Sequence, residues 1–421
     1  MAKILISFVG TGSLQQKEKQ GHSYLASERQ YKPATYHIDD DNIGEYPFVA
    51  AALTKYHNID KVILVGTVHS MWEEVYKYFS EQNKIELDED AFFEIAEHCD
   101  NATNESELVI PHKDKIEQAI GPDSSIMLIR YGLNEKEITD NIGIVLGLND
   151  LINTGDELIV DVTHSFRSLP IFIMNLLLYL TNVSSKRPKI SHIYYGMLEM
   201  SHTLNYAPIV DLKKILELNK WIVGASAFKN YGNAYMISEL LQGVNTNLGN
   251  ELKQFSDLLN LNHLDQIEKE VEKLKTMKNI EYNDPLPELT VKPVINDFLK
   301  KFGTTKGNHA LFQYNLAKWQ FDNMNYALAL ISLSEAILTY ACMVAGRDWN
   351  DYDNREEIKG TIFDVLPKEL AISFVNIKKY RNSVAHSLNS GTSQKKIIDV
   401  LRKGLDLAGK QINSHVWGTT R

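Results

Sequence analysis

A chain of 421 residues exceeds what one ordinary hydrophobic core serves, so two or three domains are expected. Hydrophobic residues make up 44%, no low-complexity tract interrupts them, and the two cysteines, Cys99 and Cys342, lie far apart, which counts against a disulfide framework or a zinc site. A net charge of −10 counts against a general nucleic-acid coat, yet residues 301–421 hold 16 Lys+Arg against 11 Asp+Glu and are the better candidate for meeting a polyanion.

Residues 1–10 are mostly apolar but too short for a leader and lack a small-residue cleavage site, so residues 3–9 read as a first strand. The longest apolar run, 169–180, falls short of the roughly 20 residues of a membrane span, and a cytoplasmic location is expected. The small-residue turn Thr11-Gly12-Ser13 follows the strand and lets a ligand approach the backbone. A strand over 34–38 and a helix over 46–56 come next. Residues 61–67 form a buried strand ending in Gly66-Thr67, with Ser70-Met71-Trp72 opening a helix. The acidic stretch 88–123 reads as a surface helix and loops, 125–131 as a strand and 135–151 as a helix.

The run LIVDVTHSFRSLPIFIMNLLLYL, residues 158–180, reads as strand, turn and helix. Apolar residues lead into Asp161, the turn holds Thr163, His164, Ser165 and Arg167, and an apolar helical pattern begins near Pro170. A turn that only caps its helix needs one side-chain oxygen, and this one has more donors and hydroxyls than that. Residues 192–196 add a strand ending in Gly196, and 205–210 an edge strand closing the domain. Such alternation defines an α/β sheet of the doubly wound type, whose turns share one edge and suit a phosphate-bearing ligand.

From residue 212 strand-like runs vanish. Helical periodicity over 212–229, 234–241, 251–259, 264–278 and 292–300 defines an all-α connector, 211–304. Residues 207–300 hold 11 Lys+Arg against 13 Asp+Glu, so no basic face for reading DNA is evident. The turn at 303–307 marks a boundary. Residues 305–421 read as a further all-α domain, with helices over 311–322, 326–345, 371–388 and 393–414 and a charged helix-and-loop stretch at 351–370. Within 371–388 lies Tyr380-Arg-Asn-Ser-Val-Ala-His386. On one regular helix Arg381 and His386 stand about 140° apart. They converge on a phosphate if the helix bends or ends there, or if two copies pair across a dimer.

Three segments resemble known families. Asp161-Val-Thr-His-Ser-Phe-Arg167 resembles the D-x-T-H-G/S signature of CRISPR-associated proteins with a CARF domain, and Gly66-Thr-Val-His-Ser-Met-Trp72 resembles the G-T-x-x-S-x-W turn of the same group, although Trp72 itself reads as packing under the sheet. Arg381, Asn382 and His386 match the R-N-x-x-x-H pattern of HEPN ribonucleases. Together they resemble a CARF-HEPN ribonuclease of type III CRISPR systems, over residues 1–210 and 305–421.

That resemblance implies a Rossmann-like CARF sensor at 1–210, a helical connector at 211–304 and a HEPN ribonuclease domain at 305–421. It implies a homodimer, or an oligomer of dimers, whose paired HEPN domains form one composite cleft for single-stranded RNA. It also implies a cyclic oligoadenylate activator held by Thr11, Gly12, Ser13, Gly66, Thr67, Ser70, Met71, Trp72, Thr163, His164, Ser165, Arg167 and Gly196. A two-fold dimer suits an even-numbered ring, cyclic tetra-adenylate first and cyclic hexa-adenylate second. His386 suits proton transfer and Arg381 a phosphate, while Asn382 orients His386 or holds a phosphate oxygen. No carboxylate and histidine cluster has metal-ligand spacing, so metal-independent cleavage leaving a 2′,3′-cyclic phosphate is expected, with no cofactor, no DNA and no membrane involved. Two other classes stay open: a ligand-responsive transcription regulator, which needs neither Arg381 nor His386, and a HEPN toxin controlled by a protein partner. Whether Thr163, His164 or Ser165 degrades the ring is also open.

Overall fold

The computed structural model describes all residues except 15–28, 165–168, 278–283, 303, 304, 306, 386–392 and 415–421. Two compact units emerge, Met1–Glu217 and Leu218–Arg421.

The strands of the first unit are β1 (Lys3–Val9), β2 (Ser13–Leu14), β3 (Arg29–Gln30), β4 (Ala34–Ile38), β5 (Asp41–Tyr46), β6 (Lys61–Gly66), β7 (Ser125–Leu128), β8 (Glu157–Asp161), β9 (Lys189–Gly196) and β10 (Ala207–Asp211). β2 and β3 pair as a ribbon, and the other eight form one mixed sheet in the order β5-β4-β10-β9-β8-β1-β6-β7. The run from β9 to β7 is parallel throughout. Its central strands are continuous apolar runs because both faces are covered. Leu5 and Leu64 enter the core that holds Val49, Trp72 and Ile95, from α1 (Val49–Tyr56), α2 (Trp72–Asn83) and α3 (Glu89–Asn101); that core also takes Ile116 of α4 (Lys113–Ile120). Ile4, Ile6 and Val160 turn the other way, toward Val145 of α5 (Glu135–Gly147) and Ile173 and Leu177 of α6 (Leu169–Asn182). The expected α/β class holds, with a helical remainder after it.

Three local expectations need correction. The strand expected at the edge over 205–210 is β10, and it lies inside the sheet, parallel to β4 and antiparallel to β9. The edge on that side is β5, which the sequence conceals because Asp41–Tyr46 carries only one strongly apolar residue, Ile43, and stays largely exposed. The following helix consequently starts at Val49 rather than at Tyr46. The stretch 88–123 is more than surface, since α3 and α4 bury Ile95, Cys99, Ile116 and Ala119 while their acidic residues face outward. Charge density hid an amphipathic pattern there.

α7 (Ser201–Leu204) is a single turn, and α8 (Lys213–Tyr231) carries the chain from the first unit into the second. There, α9 (Tyr235–Leu241), α10 (Thr246–Leu261), α11 (Leu264–Met277) and α12 (Pro285–Phe302) close over Phe228, Phe255, Phe298 and Trp319. α12 begins well before the expected 292 because Pro285 and Pro287 occupy its first turn, where a missing N–H costs nothing. The remaining helices are α13 (His309–Asp322), α14 (Tyr326–Val344), α15 (Tyr352–Gly360), α16 (Ile362–Val365), α17 (Lys368–Ala385) and α18 (Gln394–Ser414). α13 serves both helical cores, turning Phe312 and Trp319 to one and Ala310 and Ala317 to the other. Among the described residues α14 alone is long and apolar enough to cross a membrane, outdoing the 169–180 run, and 67% of its apolar window is buried within the protein. It is the central helix of this second core.

Candidate ligand cleft and effector site

Register brings three turns together. Val9 pairs with Gly66 and Ile6 with Val160, so β6, β1 and β8 end nearly level at their carboxyl ends. The turns beyond them enclose a cleft of about 170 Å³ lined by Gly10, Thr11, Gly66, Thr67, Thr163 and His164. Asp161 is fully buried at its base and accepts hydrogen bonds from the Ser7 hydroxyl at 2.5 Å and the Thr163 N–H at 2.9 Å, as well as from the Thr163 hydroxyl. The Thr163 oxygen accepts in turn from the Gly196 N–H at 2.7 Å. The hydroxyl of Thr163 and the N–H of Gly196, both candidates for the ligand, thus tie β8 to β9.

His164 is placed differently. Its Nε2 is buried and has no partner among the described residues. Burial pushes the imidazole below its ordinary pKa, with Asp161 opposing, so near neutrality the ring is uncharged. Its ring centroid lies 5.7 Å from that of Tyr31, whose hydroxyl donates to the Gly10 carbonyl at 3.0 Å. Tyr31, which no local motif marks, thus braces two residues of the cleft without lining it. An uncharged imidazole with an unused nitrogen, beside turn backbone that lines the cleft, suits the edge of a base or a ribose hydroxyl.

The turn after β6 builds the cleft from beneath. The Thr67 N–H donates to Ser70 Oγ at 3.0 Å, the Ser70 hydroxyl to the Val9 carbonyl at 2.7 Å, Trp72 Nε1 to the Thr67 carbonyl at 2.8 Å and the Met71 N–H to the Gly10 carbonyl at 3.1 Å. Ser70, Met71 and Trp72 are buried and do not line the cleft; they clamp one turn to the other. Gly12, at φ +69°, lies against Met71, and Ser13 pairs with Gln30 in the ribbon. Ser165 and Arg167 lie outside the described residues. A Cβ on Gly66 would come within 2.7 Å of Trp72 Cζ2 and 2.8 Å of Ser70 Oγ. Gly66→Ala is therefore expected to lower stability by about 1–3 kcal/mol through overpacking, read as a reduced thermal midpoint. An unchanged midpoint would mean that Trp72 yields without cost.

A pH dependence follows from His164 and from His57. Burial, then His192 and Lys3, lower the His57 pKa to about 4, and its Nε2 lies 3.2 Å from the Tyr194 hydroxyl. Both histidines have folded-state values below the unfolded value near 6.5. Below that pH the unfolded chain binds protons that the folded one refuses, so their contribution to stability is intact above about 6.5 and declines as pH falls. Thermal midpoints should drop between pH 7.5 and 5, and His57→Gln with His164→Gln should flatten the decline. An unaltered slope in the double variant would remove both histidines from the account.

In the helical unit, Arg381 sits near the end of α17, and α14 supplies its partner. Arg381 Nη1 donates to Glu335 Oε1 at 3.2 Å and to Ser334 Oγ at 3.5 Å, while Nε and Nη2 reach Asn382 Oδ1 at 3.3 and 3.1 Å. Glu335 also accepts from Arg355, whose Nη1 donates to the Trp349 carbonyl at 2.9 Å. One carboxylate thus serves two guanidinium groups, leaving a net positive charge held in fixed orientation, as phosphate recognition needs. Asn382, a candidate for orienting His386, is turned toward Arg381. α17 is described as far as Ala385, and His386 lies outside the described residues. Glu335 and Arg355 escape a reading of local motifs because they lie 46 and 26 residues from Arg381.

Comparison with known proteins agrees with the α/β unit. Residues 4–199 match the family described as CRISPR system endoribonuclease Csx1, CARF domain, and residues 217–308 match CRISPR-associated protein MJ1674, second domain. The amino-terminal unit is thus similar to the CARF domain of CRISPR-associated proteins. A curated relative of the chain, CRISPR-associated protein MJ1674 of Methanocaldococcus jannaschii, is 33% identical over 427 residues, covering 96% of this chain and 64% of that protein. The chain therefore spans just under two thirds of that relative's length. Among solved structures, Enterococcus italicus Csm6 bound to cyclic hexa-2′-fluoro-hexa-dAMP aligns over 98% of this chain and 94% of its own at 12% identity, with a TM-score of 0.36.

Proposed function

We propose that this protein is a cytoplasmic endoribonuclease of type III CRISPR antiviral defence, switched on by a cyclic oligoadenylate and cutting single-stranded RNA without a metal. The observation that carries the reading is the meeting of Thr11, Gly66, Thr67, Thr163 and His164 at one cleft, within residues that match a CARF family. Turn backbone and an uncharged imidazole suit the phosphates and base edges of an oligonucleotide ring. A homodimer would offer two such clefts to a ring of matching symmetry, with cyclic tetra-adenylate the first choice and cyclic hexa-adenylate the second. Activation then requires tighter ring binding to the arrangement that cuts.

For the effector, the Arg381 guanidinium would hold two oxygens of the scissile phosphate. Its fixed charge offsets the charge that grows as the ribose 2′-oxygen attacks phosphorus and the bond to the leaving 5′-oxygen breaks. His386 would move the proton, taking it from the 2′-hydroxyl or giving it to the leaving oxygen. Asn382 aligns Arg381 through Oδ1. The products are a 2′,3′-cyclic phosphate and a 5′-hydroxyl, and a second copy of the site across a HEPN dimer would complete the cleft.

The test is to incubate the protein in EDTA with labelled single-stranded RNA, alone and with cyclic tri-, tetra- or hexa-adenylate. Cleavage with one ring only is the expected result. Silence with all three would overturn it and move the weight to a DNA-binding regulator or a partner-controlled toxin.

A further inference from the structure

Glu335 and Arg355, which hold Arg381, also wall a cleft of about 500 Å³ within the helical unit. Trp349 and Asn350, just beyond α14, line it, as do Gln313 of α13 and Asn262 at the end of α10. Two buried amide atoms in this lining, Asn262 Nδ2 and Gln313 Oε1, have no hydrogen-bond partner among the described residues. Gln313 is only 5% exposed, and the orientation of Asn262 is fixed because its Oδ1 accepts from Gln320 Nε2 at 3.3 Å and Ser332 Oγ at 3.2 Å. Buried polar atoms are rarely left unpaired, and here the unused pair is one donor and one acceptor.

The chemistry of the walls selects the guest. Asp265 and Glu335 line the cleft, and Arg355 is already engaged by Glu335, so a phosphate would meet carboxylates. A nucleobase carries no charge, presents donors and acceptors side by side along one edge, and has a flat face that stacks on an indole. Trp349 offers that surface: His309 lies against the indole, ring centroids 4.3 Å apart and tilted by 36°, without itself lining this cleft. Through Glu335 the cleft stands one carboxylate away from Arg381. We propose that it is a nucleobase-binding subsite, in which Gln313 and Asn262 read the edge of an RNA base, Trp349 stacks on it, and the nucleotide beside the cut is thereby selected. This rests on the ribonuclease reading of Arg381.

Two measurements on the full chain separate the proposals. Oligodeoxynucleotides with a single ribonucleotide confine cleavage to one bond, and each of the four bases is placed in turn on either side of it. With activator present, wild-type protein is expected to favour one base by about tenfold or more in kcat/KM, the size of discrimination a buried hydrogen-bonding pair supports. Gln313→Met keeps the shape of the side chain, removes the amide, and should reduce that preference to about threefold or less. Undiminished preference in Gln313→Met, or none in wild type, would overturn the subsite. Anisotropy of labelled, uncleavable 2′-O-methyl oligonucleotides supplies the second readout. Base-selective binding that survives Arg381→Ala but is lost in Gln313→Met supports the subsite even if no RNA is cut, in which case only the ribonuclease reading falls. Base-blind binding overturns the subsite whatever the cleavage result. Should Gln313→Met fail to fold, Trp349→Leu serves instead: weaker binding of all four bases is expected, and unchanged binding counts against the proposal.

Discussion

Arg381→Ala is expected to lower ring-activated RNA cleavage at least about a thousandfold while leaving ring binding within about twofold of wild type. The argument is geometric. Removing the guanidinium takes away a cation whose direction is fixed from both sides, by Glu335 on α14 and by Asn382 on its own helix. Glu335 keeps its bond to Arg355, so no carboxylate is stranded and the fold should survive. Arg381→Lys sharpens the test. A lysine keeps the charge but cannot span Glu335 and Asn382 with a planar fork, so only a small part of the lost rate should return. His386→Ala should match the loss in Arg381→Ala if both act on one phosphate. Single-turnover cleavage and calorimetric titration with the ring give the two readouts. A parallel loss of ring binding would end the division of labour between sensor and effector residues.

The sheet was legible where its strands are buried on both sides, since runs such as Ile4–Val9 and Val62–Val65 admit little but a central parallel strand. β5 was not, because an edge strand needs few apolar side chains and Asp41–Tyr46 has few. The turns were legible as a set, but their division of labour was not. Thr163 and Ser70 look alike as polar, ligand-facing positions in a string of letters, whereas Trp72 already reads as packing under the sheet; only hydrogen bonding shows that the polar atoms of all three hold turns together, while His164 keeps a nitrogen without a partner among the described residues. Tyr31 braces Gly10 and His164 from a segment with no pattern of its own. In the helical unit, Arg381 could be singled out by spacing, whereas the carboxylate that orients it comes from another helix and leaves no local trace.

Asp161→Ala carries the second large effect, this time on the sensor. The carboxylate is buried and takes hydrogen bonds from Ser7 on β1 and from both the N–H and the hydroxyl of Thr163. Alanine leaves these donors without an acceptor in a dry interior, at a cost of about 3 kcal/mol. For a unit of this size that corresponds to a drop of roughly 6–12 °C in its thermal midpoint. Function should suffer further. Thr163 holds Gly196 and sets the path of the chain into His164, so the cleft loses its shape even in the folded fraction. Ring binding, measured well below the lowered midpoint, should weaken by about a hundredfold or more, since losing two or three placed contacts at 1.4 kcal/mol per decade has that result. Asp161→Asn distinguishes geometry from charge: it retains one acceptor oxygen but turns an amide NH₂ toward a second donor, so it should bind the ring better than alanine and worse than wild type. Wild-type affinity in Asp161→Ala, with the midpoint lowered as expected, would separate the stability of the turn from recognition. The ring would then bind elsewhere than in the cleft formed by β1, β6 and β8.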